Sequence, residues 1–96
     1  MFYVRLAPRA LTARVDELQV KFGEIVRRRR LAAGLSQERL GELAGLHFTT
    51  VSLVERGKMV PTLVVVRKLA DGLGCTMTEL VAELEQESAP RPKRKK

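Results

Sequence analysis

The sequence has few of the residues from which metal sites, disulfides and most active sites are built. Its 96 residues include one cysteine, Cys75, and one histidine, His47. A single residue of each kind excludes a disulfide framework, a zinc site made of cysteine and histidine, and a Cys/His nucleophilic pair. The sequence also lacks a constellation of acid, base and nucleophile. We therefore expect no enzyme activity, no catalytic residue, no metal and no cofactor.

Aromatic residues and long apolar runs are scarce as well. Aromatics make up 4% of the chain and Trp is absent, which argues against a base-stacking platform of the kind that binds single strands. No apolar run approaches the ~20 residues of a membrane span. The apolar N-terminal stretch is interrupted by Arg5 and Arg9 and is too short for a secretory signal. These absences predict a soluble cytoplasmic protein with no membrane partner.

Positive charge is what the sequence has in excess. The formal net charge is +7 and the isoelectric point is near 10.3, which favours a polyanionic partner such as nucleic acid. Residues 22–58 contain seven basic and four acidic residues, whereas residues 59–90 contain two and five. The last six residues, 91–96, add five basic residues and no acidic one. We therefore expect a domain with a basic N-terminal half and an acidic C-terminal half.

Apolar residues at helical spacing, interrupted by capping residues and glycines, predict five short helices between residues 22 and 87. The predicted helices are Phe22–Ala33, Gln37–Ala44, Phe48–Arg56, Leu63–Leu73 and Met77–Glu87. Phe22, Val26 and Leu31 are predicted to face the core from the first of them. No strand is predicted in this range, so the fold class is all-α: a compact five-helix domain with an N-terminal extension.

Two segments lie outside this domain. Residues 1–21 form an N-terminal extension that is either an arm or an extra helix, and a helix over 12–21 that packs on the domain is the favoured form. Residues 88–96 contain two prolines and the basic run. Because this tail has nothing apolar to bury, it is predicted to be disordered. The predicted division of the chain is therefore 1–21, 22–87 and 88–96.

The most informative stretch runs from Gly34 to Gly57 and reads GLSQERLGELAGLHFTTVSLVERG. It contains a short helix, a turn on Gly45 and Leu46, and a second helix. A turn this short forces the two helices to cross steeply, and the small Gly41 lets their backbones approach. This is the geometry of a helix-turn-helix, whose second helix lies in the major groove of DNA.

Several short motifs in and beyond this stretch occur in a characteristic order. They are Gly34-Leu35-Ser36-Gln37, Leu40, Ala44-Gly45, Val51-Ser52, Glu55-Arg56-Gly57, Pro61-Thr62-Leu63 and the ending Leu69-Ala70 to Leu73-Gly74. Together they resemble the phage-repressor and Cro type of helix-turn-helix domain, the Xre family. The resemblance implies a sequence-specific transcriptional regulator of prokaryotic cytoplasm that binds a palindromic double-stranded operator as a homodimer and associates with the nucleoid when bound.

The resemblance and the position of each residue around the second helix imply individual roles. Base edges are expected to face Phe48, Thr49, Ser52 and Leu53. Phosphate contacts are expected for Gln37, His47, Thr50, Arg56 and Lys58. Arg30 and Glu55 match a family ion pair that ties the first helix to the third.

Helix geometry agrees in part with the base-facing assignment. Positions 48, 49, 52 and 53 share the face opposite the core residues of the same helix, so they point outward. The hydroxyls of Thr49 and Ser52 can hydrogen-bond base edges, and Phe48 and Leu53 can contact thymine methyl groups. An exposed apolar pair also suits a protein interface, which is the alternative interpretation of these two residues.

A dimer interface is predicted on the apolar face of the last helix, with help from the helix before it. Its residues are Val64, Val65, Leu80, Val81 and Leu84. A helix-turn-helix monomer reads about one half-site, so a dimer is needed for specificity.

Three functions fit these patterns. The first is a transcriptional regulator, which is a repressor or an activator like the controller proteins of restriction–modification systems. The second is an antitoxin of similar fold that neutralises a toxin protein and autoregulates its operon, with Val64, Val65 and the last helix binding the toxin. The third is an adaptor that uses the fold for protein contacts alone and leaves no specific footprint on DNA.

Overall fold

The structure, a computed structural model, describes the backbone of residues 2–88 and the side chains of residues 16–88. Within this range the chain forms five α-helices and no strand. They are α1 (Phe2–Ala32), α2 (Gln37–Ala44), α3 (Phe48–Glu55), α4 (Leu63–Leu73) and α5 (Met77–Glu87). The all-α, five-helix prediction is therefore confirmed. The predicted tail lies outside the described residues from residue 89 onward.

Helix α1 is much longer than the first predicted helix. It runs without a break for 31 residues, so residues 2–21 form the N-terminal part of the same helix that continues into the domain. The segment favoured as an extra helix, 12–21, is thus helical but is not a separate element. None of the helices in the described range is long and apolar enough to cross a membrane.

The starts of α2, α4 and α5 are fixed by hydroxyl side chains. Ser36 accepts a hydrogen bond from the Arg39 N–H over 2.9 Å, and Thr62 accepts one from the Val65 N–H over 3.1 Å. Thr76 and Glu79 bond reciprocally to each other's backbone, as a capping box. Because each cap satisfies an N–H that has no partner inside its helix, these helices begin where the sequence predicts.

All five helices contribute to one apolar core. Its buried residues are Phe22, Ile25 and Val26 from α1, Leu40 and Ala44 from α2, Val51 and Val54 from α3, Val66, Leu69 and Ala70 from α4, and Leu80 from α5. α2 packs on α3 and α4, whereas α1 packs mainly on α3 and α5. α3 therefore lies against both α1 and α2.

Two apolar residues lie elsewhere than the sequence predicts. Leu31 is 54% exposed, because it is about 140° around the helix from the buried Val26 and the polar Arg30 takes the inward position instead. Leu80, predicted in the dimer interface, is completely buried in its own protomer. It therefore belongs to the core and is not available to a second chain.

Two arginines of α1 and two glutamates of α5 fasten the last helix to the first. Arg28 Nη2 lies 2.6 Å from Glu83 Oε2 and 2.5 Å from Glu87 Oε2, and Arg29 Nε lies 2.7 Å from Glu83 Oε1. Hydrogen bonds from Arg28 and Arg29 hold the pKa of Glu83 below its ordinary value. Because these groups are partly open to solvent, they add little to stability and mainly set the position of α5.

The backbones of α1 and α3 meet at Gly23. A β-carbon at this position would collide with the carbonyl oxygen of Val54 and would lie 2.8 Å from that of Glu55. Both oxygens belong to the backbone at the end of α3, so neither can rotate away. The absence of a side chain at Gly23 therefore sets how closely α3 lies on α1.

Replacing Gly23 by Ala is expected to lower the free energy of unfolding by about 1–3 kcal/mol, because α3 must move away from α1. This loss outweighs the gain of up to about 1 kcal/mol in helix propensity. The matched control is Glu24→Ala, which removes an exposed neighbour on the same helix. Urea denaturation of the three proteins measures the difference, and a Gly23→Ala protein as stable as the control contradicts the close approach.

Candidate nucleic-acid interface

The turn between α2 and α3 is short and closely packed. Gly45 ends α2 with a φ of 73°, and the Leu46 N–H donates to the Gly41 carbonyl oxygen over 2.8 Å. A β-carbon at Gly41 would lie 2.5 Å from the Leu46 carbonyl oxygen. The turn therefore requires a glycine on α2 opposite it, and it fixes the direction in which α3 leaves α2.

His47 forms the start of α3. Its Nδ1 accepts a hydrogen bond from the Thr49 N–H over 3.1 Å, and its ring stacks on that of Phe48 with centroids 4.8 Å apart. Because Nδ1 accepts this bond, the neutral ring carries its proton on Nε2, on the other side of the imidazole. His47 is thus an N-cap that also presents a donor outward.

α3 has one buried side and one open side. The open or half-buried residues, called the outer face of α3 below, are Phe48, Thr49, Ser52 and Leu53. Phe48 is 44% exposed, whereas Val51 and Val54 on the opposite side are 0% and 1% exposed. The structure therefore brings the four residues predicted to face bases onto one surface.

Polar and basic residues border the outer face. Arg56 is exposed at the C-cap of α3, where its Nε donates to Ser52 Oγ over 3.2 Å and to the Ser52 carbonyl oxygen over 3.4 Å. Lys58 is exposed in the turn that follows, and Thr50 is half-buried within α3. Sequence reasoning missed the contact between Arg56 and Ser52, although their spacing of four residues places them on neighbouring turns of one helix.

A buried ion pair lies beneath the C-terminal end of α3. Arg30 Nε donates to Glu55 Oε2 over 2.6 Å and Arg30 Nη2 to Glu55 Oε1 over 3.0 Å, with side chains 9% and 2% exposed. Arg30 Nη1 also donates to the Leu35 carbonyl oxygen over 2.8 Å. The hydrogen bond to Glu55 holds the pKa of Arg30 above its ordinary value. The structure thus pairs the two residues that the family resemblance pairs.

Gln37 extends this pair to α2. Its Nε2 donates to Glu55 Oε1 over 3.1 Å, so the first residue of α2 and the last residue of α3 are bonded directly. No buried side-chain nitrogen or oxygen lacks a hydrogen-bond partner among residues 16–88. A fully bonded pair offsets most of the cost of burying two charges, whereas removing one partner leaves the other charge uncompensated.

Apolar side chains are also exposed on α4 and α5. Val64 is 63% and Val81 is 47% exposed, whereas Val65 and Leu84 are half-buried and pack against the core of their own protomer. A shallow depression on α5 is lined by Met77, Thr78, Val81, Ala82 and Glu85. Leu63, the first residue of α4, is 77% exposed. An exposed apolar side chain beside a depression, as at Val81, is typical of a contact surface.

Replacing Glu55 by Ala is expected to lower the free energy of unfolding by about 3–5 kcal/mol, because Arg30 stays buried without its partner. Glu55→Gln keeps an acceptor oxygen and nearly the same shape, so it lowers the value by less. The matched control is Glu42→Ala, which removes an exposed glutamate from its pair with Arg39. Chemical denaturation compares the three variants, and equal losses for Glu55→Ala and Glu42→Ala would show that the buried pair does not hold α3.

Comparison with known proteins places this chain among helix-turn-helix regulators. The helix-turn-helix family model matches residues 26–80. The control protein C.MunI of a Mycoplasma species is 32% identical over 74 residues, which are 76% of this chain and 100% of that protein. The transcriptional regulator PuuR of Escherichia coli is 34% identical over 58 residues, 60% of this chain but 31% of PuuR.

Solved structures agree with the sequence comparisons. The restriction–modification controller protein C.AhdI of Aeromonas hydrophila matches with a TM-score of 0.63 and 47% identity over 65% of this chain and 94% of that chain. The wild-type controller protein C.Esp1396I matches with a TM-score of 0.68 and 26% identity over 73% of this chain and 91% of that chain. The chain therefore belongs to the Xre-type helix-turn-helix family of DNA-binding transcriptional regulators.

Proposed function

We propose that this protein is a dimeric regulator of the restriction–modification controller type, which inserts α3 into the major groove of a palindromic operator. The observation that carries the proposal is the outer face of α3: two hydroxyl residues lie between two apolar ones, a histidine donor precedes them and two cations follow. This arrangement combines groups for reading bases with groups for binding phosphates on one rigid element.

The outer face supplies the base contacts in this proposal. The hydroxyls of Thr49 and Ser52 exchange hydrogen bonds with base edges in the major groove, and Phe48 and Leu53 contact the methyl groups of thymine. Phe48 has 44% of its surface open to solvent, which leaves a large apolar area to bury against DNA. We therefore expect the preferred DNA site to have thymines at the positions that face Phe48 and Leu53.

Phosphates are bound around this face. His47 presents Nε2–H, and Gln37 retains the second N–H of its amide after donating the first to Glu55. Arg56, Lys58 and the hydroxyl of Thr50 complete the set proposed to contact the backbone of the half-site. Because Gln37 is bonded to Glu55, the pair that holds α3 also orients a phosphate-binding group on α2.

The dimer is proposed to form through Val64, Val65, Val81 and Leu84. Val64 and Val81 remain well exposed in the protomer, so they have apolar surface to bury against a second chain. Two half-sites are needed for specificity, and a symmetric dimer places two copies of α3 on successive turns of the duplex. The relatives named above are controller proteins and transcriptional regulators, which favours a DNA-binding regulator over the antitoxin alternative.

The sequence-reading role of α3 is tested with Thr49→Ala and, as matched control, Lys58→Ala. Duplexes selected from a random library by the wild-type chain provide the specific site, and a scrambled duplex provides the reference. Thr49→Ala is expected to reduce the difference in binding free energy between the specific and the scrambled duplex by about 1 kcal/mol per half-site. The reason is that one hydrogen bond to a base is lost. Lys58→Ala should weaken both affinities and flatten the salt slope by about 0.9 per phosphate contact.

The reverse pattern would contradict the proposal. If Lys58→Ala destroys the ratio and Thr49→Ala leaves it intact, α3 is not the element that reads bases. If the library yields no common sequence, the chain is not a sequence-specific regulator.

The dimer is tested by placing a charge on its proposed interface. Val81→Glu is expected to sediment as a monomer at concentrations where the wild-type chain is a dimer, because the glutamate would be desolvated opposite apolar side chains. The matched control is Leu31→Glu, a similar change at an exposed apolar residue on α1. A Val81→Glu protein that stays dimeric, or a wild-type chain that is monomeric at high micromolar concentration, contradicts the interface.

A further inference from the structure

We propose that Arg56 is a positioning residue for Ser52, so that a phosphate-binding side chain also sets the base preference at one position of each half-site. The inference rests on the proposed function, because it requires the outer face of α3 to lie in the major groove.

The geometry of the last turn of α3 carries this inference. Arg56 Nε donates to Ser52 Oγ over 3.2 Å and to the Ser52 carbonyl oxygen over 3.4 Å. The backbone N–H of Arg56 donates to the same carbonyl oxygen over 3.0 Å. The guanidinium thus folds back over the end of its own helix, where its charge also complements the helix dipole. Both side-chain bonds share the single Nε–H, and the side chain is exposed.

This contact changes what the Ser52 hydroxyl can offer to a base. A guanidinium has only donors, so Oγ must accept, and the hydroxyl proton is left to donate elsewhere. A charge-assisted bond to Oγ also polarises the hydroxyl, which makes it a stronger donor and a weaker acceptor. In the major groove the acceptors are N7 and O6 of guanine, N7 of adenine and O4 of thymine. Ser52 is therefore directed towards these atoms and away from the amino groups of cytosine and adenine.

Arg56 keeps enough donors for a phosphate at the same time. Only Nε is engaged by Ser52, so the end-on edge of the guanidinium, formed by one N–H of Nη1 and one of Nη2, can still bind a phosphate. A phosphate held in this way restrains the guanidinium, which restrains the hydroxyl. Lys58 is the useful contrast, because it is exposed in the next turn and its ammonium has no such planar fork.

The experiment is a double-mutant cycle on base preference. The wild-type chain first selects sites from a random duplex library, and the base pair that faces Ser52 is identified as the one at which Ser52→Ala relaxes the preference. Affinities for the favoured and a disfavoured base pair are then measured for the wild type, Ser52→Ala, Arg56→Lys and the double variant. Arg56→Lys keeps the charge but has no donor at the Nε position, and Lys58→Ala is the matched control.

The expected result is that Arg56→Lys loses the preference at that base pair by about fivefold, the value of one hydrogen bond, while its salt dependence is retained. Adding Arg56→Lys to Ser52→Ala should cause no further loss of the preference, because Arg56 acts through the Ser52 hydroxyl. Lys58→Ala should weaken all duplexes and keep the preference. A purely electrostatic role for Arg56 would not move a preference at a single base pair.

Two results would overturn the inference while the proposed function stands. One is an Arg56→Lys protein that keeps the full preference. The other is a well-defined selected site in which Ser52→Ala relaxes no position. If no common site is selected and all duplexes bind alike, the proposed function fails and this inference fails with it.

Discussion

The buried pair between Arg30 and Glu55 is the interaction on which the exposed helix depends. Glu55 is the last residue of α3, and its carboxylate is bonded both to α1 through Arg30 and to α2 through Gln37. The other end of α3 is fixed by the His47 cap and the tight turn at Gly45. α3 is therefore restrained at both ends, while its outer face contributes almost nothing to the core. Because the core does not depend on the residues of the outer face, their types can suit binding rather than stability.

Helix α1 packs against α3 and α5, and its ion pairs with α5 affect how the charge is distributed. The basic N-terminal half read from the sequence includes Arg28 and Arg29, which are neutralised by Glu83 and Glu87 of α5. Part of the apparent charge asymmetry is thus internal pairing between distant segments. The cations that we propose to bind phosphate, Arg56 and Lys58, border α3 instead, so the position of a charge is more informative than the net charge.

Local signals predicted most of the fold, and long-range packing accounts for what they missed. Ser36, Thr62 and Thr76 are caps whose bonds lie within one turn, so α2, α4 and α5 have the predicted bounds. The burial of Leu80 and the exposure of Leu31 depend on how helices are rotated against one another, which spacing along one helix does not determine. The ion pairs of Arg28 and Arg29 with Glu83 and Glu87 join residues more than fifty positions apart. No local sequence pattern predicts such pairs.

The residues of the candidate site were assigned from the sequence, whereas the hydrogen bonds among them appear only in the structure. Matching motifs assigned Ser52 and Arg56 to bases and phosphates separately, whereas the structure bonds them to each other. Gln37 was likewise assigned to phosphate, and its bond to Glu55 appears only when α2 and α3 are assembled. Side-chain hydrogen bonds of this kind depend on rotamers, which family spacing does not specify.

The central claim is that the Arg30–Glu55 pair holds α3 in place, and amide hydrogen exchange along α3 tests it most directly. In the wild-type protein, the amides of Val51 to Glu55 should exchange with nearly the free energy of global unfolding, because α3 opens only with the core. In Glu55→Gln, these amides should exchange at a distinctly lower free energy than those of α4, since α3 can then detach alone. Equal protection of α3 and α4 in both proteins would contradict the claim.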